Sequence, residues 1–187
     1  MKRVVVTWGR LNPPTIGHQK LIEKTAKFAR RWGADYYIFA THTVDKKKNP
    51  LKSDRKVEWM KKMFPTHANH IIYDPSINVI EKMLIYIQEL GYDEIAWVAG
   101  SDRVPEYKSR WAETYNGKNY YFPYFKVVSA GERDPDADGA SGMSASKMRA
   151  AAADGDTATF RKGIPETLDN SHVIQLMKEV REGLGIK

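Results

Sequence analysis

The chain has 187 residues, 42% of them hydrophobic, no cysteine, and a net charge of +7 from 30 Lys+Arg against 23 Asp+Glu. It is long enough to bury a core as one domain, has no apolar run of membrane-spanning length and, without cysteine, excludes a disulfide framework and thiolate chemistry. The positive balance points to an anionic partner, so nucleic acid, nucleotide and phosphorylated metabolite all remain open.

Lys2 to Thr7 reads as a buried strand, because its centre is a β-branched valine run without polar alternation. It begins without a signal-peptide pattern, so the cytoplasm is the expected compartment. A helix is expected from Ile16 to Arg31, where Leu21, Ile22, Thr25, Phe28, Ala29 and Trp32 follow helical spacing and Gly33 stops it. Ala34 to Ala40 reads as a strand, Ser53 to Phe64 as a helix, His70 to Tyr73 as a short strand, and Ile77 to Leu90 as an amphipathic helix ended by Gly91. Glu94 to Ala99 and Phe125 to Ser129 complete about five strands alternating with helices. This alternation predicts an α/β fold: a doubly wound, Rossmann-like parallel sheet with a helical C-terminal segment. The expected organisation is a single domain over 1–187, with the sheet core over about 1–130 and the helical part over about 140–187. Between Val104 and Phe125 lie Tyr107, Trp111, Tyr115, Tyr120, Tyr121, Phe122 and Tyr124, interspersed with Lys and Arg. Core packing or a subunit contact is the expected role, ahead of a base-stacking platform.

Ligands of such sheets bind beyond the carboxyl ends of the strands. Neither GxGxxG nor GxxxxGK[ST] follows the first strand; WGRLNPPTIGH follows it instead. Asp134, Asp136, Asp138 and Gly139 match the start of an EF-hand loop, but Ala145 stands where its glutamate belongs, so a surface turn is expected, with weak divalent-ion binding as the lesser alternative. A helix opening with Gly17 and His18 after an N-cap Thr15 is poorly built for stability. It becomes sensible if an anion sits on unpaired helix N–H groups, with Gly17 allowing close approach and His18 adding a donor. In GMSASKMRAAA, Ser144 or Ser146 is a natural N-cap, yet Lys147 and Arg149 follow where acidic residues would complement the dipole. Two helices opening with cations suggest a polyanion such as a triphosphate, with Ser146 donating a hydroxyl and Arg149 forking onto phosphate oxygens. A third basic element, DKKKNPLKSDRK, carries Lys46, Lys47, Lys48, Lys52 and Arg55 after the second strand.

These motifs resemble the nucleotidylyltransferase superfamily with its (His/Thr)-x-Gly-His signature, here Thr15-Ile16-Gly17-His18. The second signature, Ile-Ser-Ser-Thr-x-x-Arg, has its counterpart in Met143-Ser144-Ala145-Ser146-Lys147-Met148-Arg149. Archaeal-type nicotinamide mononucleotide adenylyltransferases are similar in three further places: Lys48 to Arg55 (KNPLKSDR), Gly9-Arg10-Leu11-Asn12-Pro13, and Gly100-Ser101-Asp102. Thr15 replaces the first histidine more usual there and is typical of phosphopantetheine adenylyltransferases. Small proteins of this look also occur in large tailed phages, for which the compartment would be the host cytoplasm.

The resemblance implies nucleotidyl transfer from a nucleoside triphosphate with Mg²⁺ to a phosphorylated small-molecule acceptor, most simply AMP from ATP to nicotinamide mononucleotide in NAD biosynthesis. It implies His18 as transition-state donor with Thr15 as a lesser one, Ser144, Ser146 and Arg149 on the β- and γ-phosphates, and Lys48 and Arg55 on the α-phosphate or acceptor. Thr7, Trp8 and Gly9 would pass their backbone near the nucleotide, with Arg10 and Gly17 beside it, and Gly100 and Asp102 would border ribose or base. Assembly into a homo-oligomer is common in the family. A cytidylyltransferase, a phosphopantetheine-type adenylyltransferase and a non-catalytic nucleic-acid or nucleotide binder are the alternatives; no membrane partner is expected.

Overall fold

Val4, Val5 and Val6 have no exposed surface and form the centre of strand β1 (Arg3–Gly9). The computed structural model describes residues 1–131 and 143–187, so the acidic turn with Asp134, Asp136, Asp138 and Gly139 lies outside the described residues. In chain order β1 is followed by helix α1 (Ile16–Trp32), β2 (Asp35–Ala40), α2 (Ser53–Met63), a 3₁₀ turn (Pro65–His70), β3 (Ile71–Ile72), α3 (Ile80–Glu89) and β4 (Glu94–Ala99). Then come a single turn α4 (Val104–Glu106), a π-helix (Tyr107–Thr114), β5 (Tyr124–Ser129), α5 (Ala145–Ala153), α6 (Thr157–Lys162) and α7 (Asn170–Gly183). The strands form one parallel sheet in the order β3-β2-β1-β4-β5, the Rossmann-like α/β architecture expected from the alternation. β1 pairs with β4 from Arg3↔Glu94 to Val6↔Trp97, and β4 with β5 from Glu94↔Tyr124 to Ala99↔Ser129.

The chain divides into two compact units. The first comprises Met1–Trp8, Leu21–Phe39 and the described residues of 72–133. Side chains alternate across a strand, so its two faces have separate cores. Val4, Val6, Phe39, Ile95 and Trp97 pack with Met83, Leu84 and Ile87 of α3 on one face. Val5, Ala96 and Val98 pack with Ala29, Leu21, Phe28 and Trp32 of α1 on the other. Much of the aromatic segment joins the first core, as expected: Tyr107 stacks on Trp97 with ring centroids 4.1 Å apart, and Tyr120 and Phe122 are buried.

The second unit comprises Gly9–Lys20, Ala40–Ile71 and the described residues of 134–187. Here α5, α6 and α7 pack on one another, and Trp59, Met60, Met148, Phe160, Leu176 and Val180 are buried. Ser144, Asp156 and Asp169 cap these three helices, each accepting a backbone N–H from the first turn. Gly183 lies so close to Pro50 that a Cβ there would meet its carbonyl oxygen at 2.0 Å.

Element ends differ from the sequence expectation in one informative place. The third helix starts at Ile80, because Asp74 holds the preceding residues in a turn: its carboxylate accepts from the Ser76 N–H and hydroxyl, and its carbonyl from the Ile77 N–H.

Candidate functional site

The start of α1 is built by reciprocal bonds. Thr15 Oγ1 accepts from the Gly17 N–H at 3.1 Å, and the Thr15 N–H donates to His18 Nδ1 at 2.9 Å. The histidine thus fills the third position of a capping box, where glutamate or glutamine usually returns the bond. A ring nitrogen that accepts an N–H carries no proton, so the neutral imidazole holds its proton on Nε2 and acts there as a donor. The Ile16 N–H donates to Gly163 O at 2.8 Å and the His18 N–H to Thr15 O at 3.0 Å. The first amides of α1 therefore have protein acceptors, which corrects the expectation of unpaired N–H groups there. For an anion α1 supplies its dipole and the histidine ring, not bare amides.

Helix α5 opens in the second way. Ser144, not Ser146, is its N-cap, and its hydroxyl accepts from the Lys147 N–H at 3.2 Å. Ser146, Arg149, Ala150 and Ala153 recur at helical spacing and face a cleft of about 490 Å³, whose other walls are Lys46, Lys47, Lys48, Leu184 and Ile186. The three lysines stand on a fixed turn. Asp45 Oδ1 accepts from the N–H groups of Lys47 (2.9 Å), Lys48 (2.7 Å) and Asn49 (3.2 Å), and Oδ2 from the Asn49 amide at 2.8 Å. These bonds, the Asn49 side chain first, hold the Asp45 carboxyl well below the usual carboxylate range. Asn49 Oδ1 is buried without a partner among the described residues, an acceptor that a ligand or water donor would satisfy.

Arg149 is half-buried and donates to Asn12 O at 3.0 Å. Burial lowers its pKa, and the neighbouring Arg10 charge adds to this. Asn12 itself is buried and exchanges two bonds with the Leu51 backbone, 3.0 Å from Nδ2 to O and 2.8 Å from the Leu51 N–H to Oδ1. Arg55 takes a different course from the one its motif implies: its guanidinium forks onto Glu179 (2.8 and 3.1 Å) and also pairs with Glu58. It holds α2 to α7, a contact reinforced by Trp59 Nε1 on the same Glu179 carboxylate at 3.1 Å.

The next residue, Lys56, carries no signal in the sequence, yet it is fully buried. Its ammonium donates to Arg10 O and Thr41 O, both at 2.6 Å, and lies 3.4 Å from Thr41 Oγ1. No carboxylate pairs with it among the described residues, and burial pushes its pKa down to about 8.

Thus His18, Thr15, Gly17, Gly9, Arg10, Lys48, Arg55, Ser144, Ser146 and Arg149 all belong to the second unit, while Thr7, Trp8, Gly100 and Asp102 belong to the first. Within the first unit, the Thr7 hydroxyl donates to Val98 O at 2.8 Å, and Asp102 is exposed in the turn after β4 with Oδ1 2.9 Å from where a Gly100 Cβ would stand. No group of three or more His, Asp or Glu residues suited to a metal ion occurs among the described residues. Among the same residues no helix is long and apolar enough to cross a membrane.

No protein-family model matches the sequence, and no curated relative is found at the sequence level. Solved structures do share the fold. A protein assigned as a nicotinate-nucleotide adenylyltransferase from Vibrio parahaemolyticus aligns with a TM-score of 0.60 at 15% identity, over 95% of this chain and 99% of that one. A bifunctional NMN adenylyltransferase/ADP ribose pyrophosphatase from Francisella tularensis aligns with a TM-score of 0.59 at 11% identity, over 99% of this chain and 53% of that one. The chain therefore spans about half of the bifunctional protein, and at these identities the likeness establishes the fold.

Proposed function

We propose that this chain is a nucleotidyltransferase that moves the adenylyl group of ATP onto the phosphate of a small acceptor, nicotinamide mononucleotide foremost, giving NAD and pyrophosphate. The observation that carries the reading is a pair of helix starts in one unit that bear donors suited to phosphate: the neutral His18 ring with Nδ1 fixed by Thr15, and Ser146 and Arg149 on the cleft shared with Lys46, Lys47 and Lys48. Support also comes from the fold shared with proteins named for nicotinate-nucleotide and NMN adenylyl transfer.

In this reaction an oxygen of the acceptor phosphate attacks the α-phosphorus as the bond to the bridging α–β oxygen breaks. The electron pair of that bond leaves with pyrophosphate. The acceptor oxygen is already ionised, so no general base is required, and catalysis reduces to positioning and charge stabilisation. His18 Nε2–H is assigned to the oxygens that gain charge in the transition state, with Thr15 fixing the ring. Arg149 and Ser146 hold the outer phosphates, and Lys48 the α-phosphate or acceptor.

Mg²⁺ belongs to the proposal as the partner of the triphosphate, whose oxygens it neutralises. It is usually held through substrate phosphates and water. That fits a site of cations and hydroxyls in which, among the described residues, the nearby carboxylate of Asp45 already accepts bonds from its own turn. Arg55, tied to Glu179, is assigned to the scaffold in this reading.

The test is product formation, followed by chromatography, from ATP, Mg²⁺ and either nicotinamide or nicotinate mononucleotide, with His18→Ala as control. Dinucleotide that appears and is lost in the variant is the expected result. Pyrophosphate release from CTP alone would move the assignment to cytidylyl transfer. Salt-dependent oligonucleotide binding, with no pyrophosphate from any triphosphate, would overturn it in favour of a non-catalytic binder.

A further inference from the structure

A lysine with no exposed surface and, among the described residues, no carboxylate partner is costly to bury, since an ammonium leaves its hydration behind. Lys56 is such a residue, and its bonds show what it holds. One carbonyl it binds, Arg10 O, follows the end of β1; the other, Thr41 O, follows the end of β2. The Thr41 N–H in turn donates to Gly9 O at 2.9 Å, so these two chain ends are joined twice. Immediately after Arg10, Leu11 is buried in the left-handed backbone region at φ 49°, which costs a non-glycine residue on the order of 1 kcal/mol. Such a conformation persists only where the surroundings over-determine it. Here they do: Lys56 fixes the carbonyl before Leu11, while the Leu51 backbone and Arg149 fix Asn12 after it. Thr15 and His18 follow directly.

We propose that Lys56 is a positioning residue, a buried clamp on the Arg10 and Thr41 carbonyls that holds the turn 10–15 in the place from which Thr15 and His18 act. It touches no substrate. Helix α2 thereby serves two purposes with adjacent residues: successive side chains point about 100° apart, so Arg55 reaches α7 while Lys56 reaches under the turn. The catalytic part of the inference rests on the transferase reading above, whereas the clamp itself does not.

The experiment compares wild type with Lys56→Met, which keeps the length and removes the donors. Two readouts are used: amide hydrogen exchange over 9–18 and 40–45, and steady-state kinetics with ATP and the mononucleotide. The expected result is faster exchange confined to those two segments, with kcat lowered at least about tenfold and KM for ATP changed by less than about threefold. Lys56→Ala supplies the second arm: added propylammonium restores turnover, and tetramethylammonium, a cation without N–H donors, does not. This arm also decides the matter if Lys56→Met fails to fold. Wild-type exchange in Lys56→Met, wild-type kcat, or equal rescue by both cations overturns the proposal. If wild type turns over no acceptor, the transferase reading falls, and exchange over 9–18 decides the clamp by itself.

Discussion

Lys56→Met makes a second, thermodynamic prediction, because a buried ammonium leaves a signature in the pH dependence of stability. Burial brings the Lys56 pKa to about 8 in the folded chain, against an ordinary 10.5 when unfolded. Below about pH 8 both states bind the proton, and the folded state carries the full penalty of the buried charge. Between about pH 8 and pH 10.5 the unfolded chain keeps its proton while the folded chain has released it, so stability rises with pH. Above about pH 10.5 neither state binds it and the penalty is gone. The whole span amounts to on the order of 3 kcal/mol, and the part between about pH 7.5 and 9.5 to about 2 kcal/mol. Urea unfolding of wild type and Lys56→Met at several pH values measures it as the difference between the two proteins. Tyr92 and Tyr120, whose pKa values burial raises, titrate alike in both and cancel. The expected outcome is a wild-type stability that gains about 2 kcal/mol on the variant across that interval. A pH-independent difference would refute the lowered pKa of Lys56, whereas the clamp itself is decided by hydrogen exchange over 9–18.

His18→Ala is expected to lower kcat about 10²- to 10³-fold and, by removing the acceptor of the Thr15 N–H, to cost about 1 kcal/mol of stability. His18→Glu restores a capping-box acceptor but no donor, so it should melt near wild type and remain inactive; an active glutamate variant would separate His18 from the chemistry. Arg149→Met should raise KM for ATP about 10- to 100-fold, the loss expected for a charge-assisted contact to phosphate, and an unchanged KM would place the triphosphate elsewhere. Gly183→Ala drives a methyl group into the backbone carbonyl of Pro50 and should destabilise the chain by about 1–3 kcal/mol in urea unfolding. Wild-type stability in that variant would contradict so close an approach of α7 to Pro50.

The sheet was legible because each strand is a short apolar run between turn residues, and each long helix repeats its apolar residues at helical spacing. The π-helix at Tyr107 was not: its bonds span five residues, as in Tyr115 N–H to Arg110 O, and no ordinary spacing encodes that. Of the candidate site, the capped starts of α1 and α5 were readable from Thr15 and Ser144, since caps are local. The return bond from His18 was not foreseen, although its position is where glutamate would stand in a capping box. Arg55 and Lys56 show the limit most plainly. Both sit in the basic run KSDRK, yet one ends on Glu179, 124 residues further along the chain, and the other is buried beneath a turn 46 residues earlier. Residue type gives a charge; only tertiary structure gives its partner.

That difference in partners sorts the cations of the second unit by purpose. Arg55 is neutralised by Glu179 and Glu58, and Arg181 is absorbed by the carbonyls of Ala152, Ala153 and Lys187. Both hold helix ends together and need no ligand. Arg149 meets one carbonyl and, among the described residues, no carboxylate within ion-pair distance, while Arg10 adds repulsion that the smaller attraction of Asp45 does not offset. Lys46, Lys47 and Lys48 share its cleft on a turn fixed by Asp45, whose carboxylate faces its own amides. Positive charges gathered on one cleft repel one another in the free protein, and the bonds of the scaffold hold in place the backbone that carries them. A ligand with several adjacent negative charges relieves that repulsion at every contact, whereas a single phosphate meets only part of it. Within the proposed reaction, this electrostatic ground assigns Lys46, Lys47 and Arg149 to the triphosphate rather than to the acceptor monophosphate.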